Sequence, residues 1–261
     1  ATRTGGAPPT PVGLQFGCAA PSTTSRERDT GPPPRTCFVR VALPKLRAIR
    51  TATRTEGWRE TEEMDSAGWD ERYSTSELIW TGRANQFVEA HLTDLEPGTA
   101  IDLGAGEGRN AVWLASRGWT VTAVDFSQVG LDKAQQLAAE HGVDIVTVQA
   151  DVTTWQPDSQ VDLVVLSYLQ LPADQQRSVL EHAATWLTPG GTLFVIAHDR
   201  SNVERGHGGP PSADVCYSVD DTVAALAGLD VTTAEVAERP VETPDGTKIA
   251  LDTLVIAQRP L

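Results

Sequence analysis

Four residues with spacing suited to holding a ligand stand together at Asp102, Gly104, Gly106 and Gly108, in the run Ile101-Asp102-Leu103-Gly104-Ala105-Gly106-Glu107-Gly108-Arg109-Asn110. Alternate glycines let a backbone turn sharply and let a ligand come close. A dinucleotide site wants Gly-x-Gly-x-x-Gly. Here Arg109 stands at the third position of that pattern, and the third glycine comes one residue early. Asp102 precedes the loop, where its carboxylate would repel a pyrophosphate and favour an ammonium group. Asp125 stands 21 residues after Gly104, where an acid can accept hydrogen bonds from both hydroxyls of a ribose. Asp151 can accept from the amino group of an adenine. The chemistry this spacing favours is the binding of an amino-acid nucleoside without phosphate. S-adenosylmethionine fits that description.

Positioning these acids requires strands that stop where they stand. Ala100–Leu103, Thr120–Val124 and Ile145–Gln149 are short β-branched or apolar runs that end beside Asp102, Asp125 and Asp151. One strand-end aspartate is ordinary turn chemistry. Three in succession beside a glycine loop point to a site. Between the strands, helices are expected over Asn110–Arg117, capped by Asn110 and stopped by Gly118, and over Val129–His141, capped by Ser127 and stopped by Gly142. A helix over Asn85–Leu95 ends at Pro97-Gly98. Further on, Val161–Leu166 reads as a strand. Asp174–Leu187 reads as a helix stopped by Pro189-Gly190-Gly191, and Thr192–Ala197 as the next strand. Ser218 with Asp221 opens a short helix. The last strands, Val231–Val236 and Ile249–Ala257, are joined through Pro244-Asp245-Gly246 and should pair antiparallel. Alternating β and α units predict an α/β fold, a doubly wound, Rossmann-like sheet with helices on both faces.

The chain has two unlike parts. Residues 1–63 carry 10 Lys+Arg against 6 Asp+Glu and eight of the 17 prolines; residues 64–261 carry 11 against 29, a balance of −18. The first part lacks sustained periodicity and reads as a disordered extension. Met64, the single methionine, stands at the change of composition and reads as a natural start, so that 64–261 is the working domain. An Arg-rich targeting peptide is the alternative, but six acids speak against it. The acidic balance disfavours a phosphate-backbone partner, so no nucleic acid is expected. No apolar run reaches the roughly 20 residues of a membrane helix, so no membrane partner is expected either. Cys18, Cys37 and Cys216 form no Cys-x-x-Cys pair. No metal site is therefore expected, and a reducing cytoplasmic setting is.

On the residues above, the acidic part resembles a class I S-adenosylmethionine-dependent methyltransferase over about residues 65–258. The resemblance implies a seven-stranded sheet ordered 3-2-1-4-5-7-6 with the last strand antiparallel. It implies that Asp102, Gly104, Ala105 and Gly106 hold the amino-acid moiety, Asp125 the ribose, and Asp151 with Val152 the adenine, with Phe126 also in contact with the cofactor. Ser167-Tyr168 would lie beside the sulfonium, and Leu187-Thr188-Pro189-Gly190-Gly191 matches the family's turn before strand five. Gly108-Arg109-Asn110 with Trp80-x-Gly82-x-x-Asn85 resembles the tellurite-resistance and thiopurine methyltransferase subgroup.

Methyl transfer mostly needs alignment and exclusion of water, so no residue is compulsory as a base. Tyr168 and His198 are the catalytic candidates. Tyr168 reads first as a wall for the cofactor, and His198 as well as a histidine bonding Asp199 at its strand end. Trp80, Arg109 and His207 are candidates for substrate contact or a lid. Trp69 reads as core packing. No Asn/Asp-Pro-Pro-Tyr follows strand four, which leaves a small organic molecule or a metalloid oxyanion as acceptor. Arg83, Arg109 and Arg200 are the cations available to an oxyanion. A monomer or homodimer is expected. The competing readings are a non-catalytic adenosylmethionine-binding sensor or partner subunit, and an NAD-dependent oxidoreductase.

Overall fold

The computed structural model describes residues 66–74, 78–79 and 82–261. The expectations for residues 1–63 and for Trp80 fall outside these residues. The chain runs α1 (Ser66–Tyr73), α2 (Gln86–Leu92), β1 (Thr99–Leu103), α3 (Arg109–Ser116), β2 (Thr120–Asp125), α4 (Gln128–His141), β3 (Val146–Gln149), β4 (Val161–Ser167) and α5 (Ala173–Thr185). It continues through β5 (Leu187–His198), α6 (Asn202–Arg205), a 3-10 turn (Ala213–Val215), α7 (Val219–Ala225), β6 (Asp230–Thr243) and β7 (Gly246–Gln258).

The seven strands form one sheet, ordered β3-β2-β1-β4-β5-β7-β6. β1 pairs parallel with β2 and β4, β2 with β3, and β4 with β5, while β7 runs antiparallel to both β5 and β6. The central strands are covered on both faces and are therefore almost continuously apolar. Leu163, Val164 and Val165 of β4 have no exposed surface. Alternate residues serve alternate faces. Ile101, Val164, Leu193 and Val255 pack with α5 and α7, whereas Ala100, Leu163, Phe194 and Leu254 pack with α2, α3 and α4.

Local signals hold at several element ends. Ser127 Oγ accepts from Gly130 N and Gly142 closes α4 at φ 67°. Ser218 caps α7 by accepting from Asp221 N. Asn85 caps α2 by accepting from Phe87 N. Other ends differ from expectation. α3 starts at Arg109 because Gly108 takes the cap position at φ 77°, a left-handed conformation that Asn110 does not adopt. The Asn110 side chain is buried and accepts the N–H of Asn85 instead. α5 ends at Thr185, and Leu187–Gly191 already belongs to β5, with an irregularity between Val161 and Leu163 on the neighbouring strand. Pro189 and the two glycines thus lie within a bulged strand, where such residues are tolerated. β6 and β7 pair from Asp230↔Gln258 to Thr243↔Gly246, well beyond the expected apolar segments. The added part carries Glu238, Pro240 and Glu242, so hydropathy alone does not announce it. α1 had no expectation attached to it: its eight residues, SAGWDERY, are too few to display a periodicity.

Candidate functional site

All the parallel strands present their carboxyl ends at one edge, and strand order reverses between β1 and β4. That is where an open α/β sheet binds ligands. β1 ends in Asp102-Leu103, and Asp102 is 1% exposed. Its Oδ2 accepts the N–H of Ala111 at 3.1 Å, which ties it to the first turn of α3. Its Oδ1 is buried and has no hydrogen-bond partner among the described residues. Burial pushes the Asp102 carboxyl up to about 7, against the lowering effects of the Ala111 bond and Arg109.

The glycine loop folds back on β2. Gly104 and Ala105 donate to Val124 O at 2.8 and 3.0 Å. Gly104, Gly106 and Gly108 all have positive φ. Asp125 locks this arrangement: its Oδ2 accepts from Gly106 N at 2.8 Å and its Oδ1 from Ser127 N at 2.9 Å. Burial raises the Asp125 carboxyl despite those bonds. Glu107, 2% exposed, joins Lys133 of α4 at 2.9 Å and accepts from Ile79 N at 3.1 Å. Phe126 is half-buried, and its carbonyl accepts from Ser66 Oγ of α1 at 3.1 Å. β3 stops at Gln149, two residues before Asp151. Asp151 is exposed and takes Thr153 N at 2.9 Å and Thr153 Oγ1 at 2.7 Å, a local turn. Val152 beside it is buried in the α5 face of the core.

A second group lies where β4, β5, β7 and β6 meet the same edge. Asp252 of β7 has no exposed surface. It accepts from Tyr168 Oη at 2.8 Å and from Arg239 Nε at 2.6 Å. His198 Nδ1 lies 3.2 Å from its other oxygen, off the line of a hydrogen bond. Burial alone would raise the Asp252 carboxyl; the contacts with His198 and Arg239 outweigh it and hold it below the usual range. Tyr168 stacks obliquely on His198 at 4.7 Å and lies under the Arg239 guanidinium at 5.5 Å. Burial and the adjacent Asp252 raise its phenol. Arg109, the first residue of α3, is within electrostatic reach of Asp102 in the first group and of Tyr168 and Arg239 in the second.

The structure thus gathers Asp102, Gly104, Ala105, Gly106 and Asp125 in the first group and Tyr168 and His198 in the second, with Arg109 in electrostatic reach of both; Ser167 ends β4, its Oγ buried with no partner among the described residues. Asp151 lies further out along the edge. His207 is exposed on the Gly206–Gly209 loop. Gly209 of that loop packs on His198: a Cβ there would lie 3.0 Å from the ring. Arg83 is 84% exposed beside Glu89, and Arg200 pairs with Asp221. Neither belongs to the cluster. His198 faces Asp252, whereas Asp199 accepts from Ser201 and Thr253. Trp69 is half-exposed, stacked on Tyr73 at 5.4 Å rather than in the core. Sequence reasoning missed Asp252 and Arg239. The one available signal was an acid and an arginine in mid-strand, where register alone decides which side chains meet.

Residues 100–191 match a family model described as a methyltransferase domain. The chain is 30% identical over 148 residues to a cypemycin N-terminal methyltransferase of Streptomyces, covering 55% of this chain and 59% of that protein. It is 33% identical over 119 residues to ribosomal RNA small subunit methyltransferase C of Alcanivorax borkumensis, covering 43% of this chain and 36% of that protein. The chain therefore spans less than two thirds of the length of these relatives. Among solved structures, the N-methyltransferase NodS of Bradyrhizobium japonicum with S-adenosyl-L-homocysteine superposes with a TM-score of 0.58 at 15% identity, covering 75% of this chain and 98% of that one. TehB of Haemophilus influenzae superposes with a TM-score of 0.58 at 14% identity, covering 74% and 66%.

Proposed function

We propose that this chain, which carries the class I methyltransferase fold, transfers a methyl group from S-adenosylmethionine to a small-molecule acceptor. The observation that carries this reading is the buried, unpartnered Oδ1 of Asp102 beside a glycine loop that Asp125 holds open from the next strand. A buried carboxylate oxygen without a partner is costly and calls for a donor. An ammonium group is the donor that suits it. The donor set therefore fits adenosylmethionine: Asp102 with the Gly104–Gly106 loop for its amino-acid part, Asp125 with Phe126 for the ribose, and the Asp151-Val152 turn for the adenine. When bound, the cofactor supplies a carbon already activated by its positive sulfur.

The chain's own residues then align the acceptor and keep water out. Tyr168, Arg239 and His198 form the wall on the acceptor side, and His198 is the group able to take a proton from an incoming nucleophile. Arg109 bridges the two sides. A small acceptor agrees with the acidic balance of residues 64–261, which repels nucleic acid, although relatives that modify RNA share the domain. Among the described residues no helix is long and apolar enough to cross a membrane.

Calorimetry with adenosylmethionine, with NADH as the control, tests the cofactor. A screen of thiol, amine, hydroxyl and oxyanion acceptors, read as adenosylhomocysteine released, tests the activity. Heat with adenosylmethionine alone and turnover of an acceptor are expected. No heat with adenosylmethionine overturns the reading, and binding without turnover of any acceptor makes the protein a sensor.

A further inference from the structure

The glycine loop is covered by two side chains from elsewhere in the chain. A Cβ at Gly104 would lie 2.9 Å from Leu169 Cδ1, and one at Gly106 would lie 2.6 Å from the Tyr73 hydroxyl. These are the two positions where a ligand is expected to approach the backbone most closely. Tyr73 arrives on α1. That helix is pinned by Asp70 Oδ1, which accepts from Ser127 Oγ at 2.5 Å and from Val129 N at 3.4 Å. Leu169 arrives from the turn after β4. Its Cβ and Cγ lie 3.5 Å from that Cβ position, an ordinary contact, so the Leu169 side-chain tip is what crowds the loop. The backbone at 168–169 sets where that tip lies.

That backbone is under constraint. Tyr168 has φ 56°, the one described non-glycine residue in the left-handed region. A residue with a Cβ holds that conformation only where its surroundings over-determine it. Here they do: the Tyr168 N–H bonds Ile196 O at 2.8 Å, and its hydroxyl bonds the fully buried Asp252 at 2.8 Å. The group that sets Leu169 over the cofactor loop is therefore the same group that holds His198 and Arg239 on the acceptor side.

We propose that Tyr73 and Leu169 gate the cofactor cradle, and that the Tyr168–Asp252 bond holds the Leu169 side of the gate shut, coupling cofactor entry to the acceptor-side cluster. This rests on the adenosylmethionine reading above. Entry of the ligand displaces Leu169, relaxes Tyr168 and loosens its bond to Asp252, so the cofactor precedes the acceptor. A site closed most of the time binds more weakly in proportion to its open fraction.

The test is stopped-flow association of adenosylmethionine with the full chain, followed by tryptophan fluorescence, with W69F assigning the α1 component. Kd comes from calorimetry and folding from thermal melts. Leu169→Ala is expected to speed association about tenfold and tighten Kd alongside, because it removes the plug. Tyr168→Phe, which keeps the ring and deletes the hydroxyl, is expected to speed association about threefold with little change in dissociation. Leu169→Ala at the wild-type rate overturns the gate. Tyr168→Phe at the wild-type rate, with Leu169→Ala fast, overturns the coupling through Asp252. No binding of adenosylmethionine by the wild type or any folded variant overturns the cofactor reading itself, and the gate with it.

Discussion

Asp102 combines deep burial, one backbone bond to Ala111 and one oxygen without a partner, and its carboxyl is held up to about 7. Two pH dependences follow. A raised carboxyl is protonated in the folded state at pH values where the unfolded chain is ionised, so the unfolded state binds fewer protons there. Stability contributed by this group is therefore fully present below the unfolded value of about 3.9 and is lost as pH rises through the folded value. Thermal melts should show that decline between those values, and Asp102→Asn should flatten it. Binding of an ammonium ligand runs the other way, because it favours the carboxylate. Affinity for adenosylmethionine should rise through neutral pH with release of a proton, then fall above about 8 as the ligand's α-amino group deprotonates. Calorimetry in buffers of different ionisation enthalpy measures that proton. Asp102→Asn should abolish its release and weaken binding at least tenfold, the loss typical of a charge-assisted hydrogen bond.

At the scale of elements, the helices after the glycine loop and after β2 depend on glycines in different ways. Gly108, at φ 77°, caps α3 where a Cβ would lie 2.5 Å from Ala134 Cβ and 3.0 Å from Ala134 Cα on α4. Gly142, at φ 67°, closes α4 with nothing within 4 Å of such a Cβ. Gly142→Ala therefore meets only the cost of the left-handed backbone, about 1 kcal/mol. Gly108→Ala adds a collision between two packed helices and should cost about 3 kcal/mol in chemical denaturation. Comparable losses in the two variants would contradict the helix approach described here. The same contrast shows what local reasoning could see. Ser127 and Gly142 are legible because capping is decided within four residues. The start of α3 is not legible locally, because Asn110, an acceptable cap by residue type, is used for a bond to Asn85, 25 residues away.

At the scale of the molecule, the charge of −14 sets the long-range field. Adenosylmethionine carries one net positive charge at neutral pH, so the field should draw it in. Raising ionic strength from about 0.01 M to about 0.3 M shortens the Debye length from roughly 30 Å to well under 10 Å. Association should slow severalfold across that range while dissociation stays nearly constant. An association rate indifferent to salt would assign entry to the gate alone rather than to steering.

The strand-end acids, the glycine loop and the β–α alternation were determined by the sequence itself. Each depends on neighbours within a few residues or on the period of an apolar run. Asp102 and Asp125 stand at strand ends in the sequence as they do in the fold. The α5-to-β5 passage and the long β6–β7 hairpin were not legible, because Pro189-Gly190-Gly191 and Glu238–Glu242 lack an apolar pattern and are ordered by the strands they pair with. The acceptor-side cluster was decided by tertiary structure alone. His198, Arg239 and Asp252 come from three different strands and Tyr168 from the turn after a fourth, and the β5–β7–β6 register that sets His198 and Ala237 opposite Asp252 is a property of pairing. A one-residue slip in that register would turn Asp252 to the other face of the sheet.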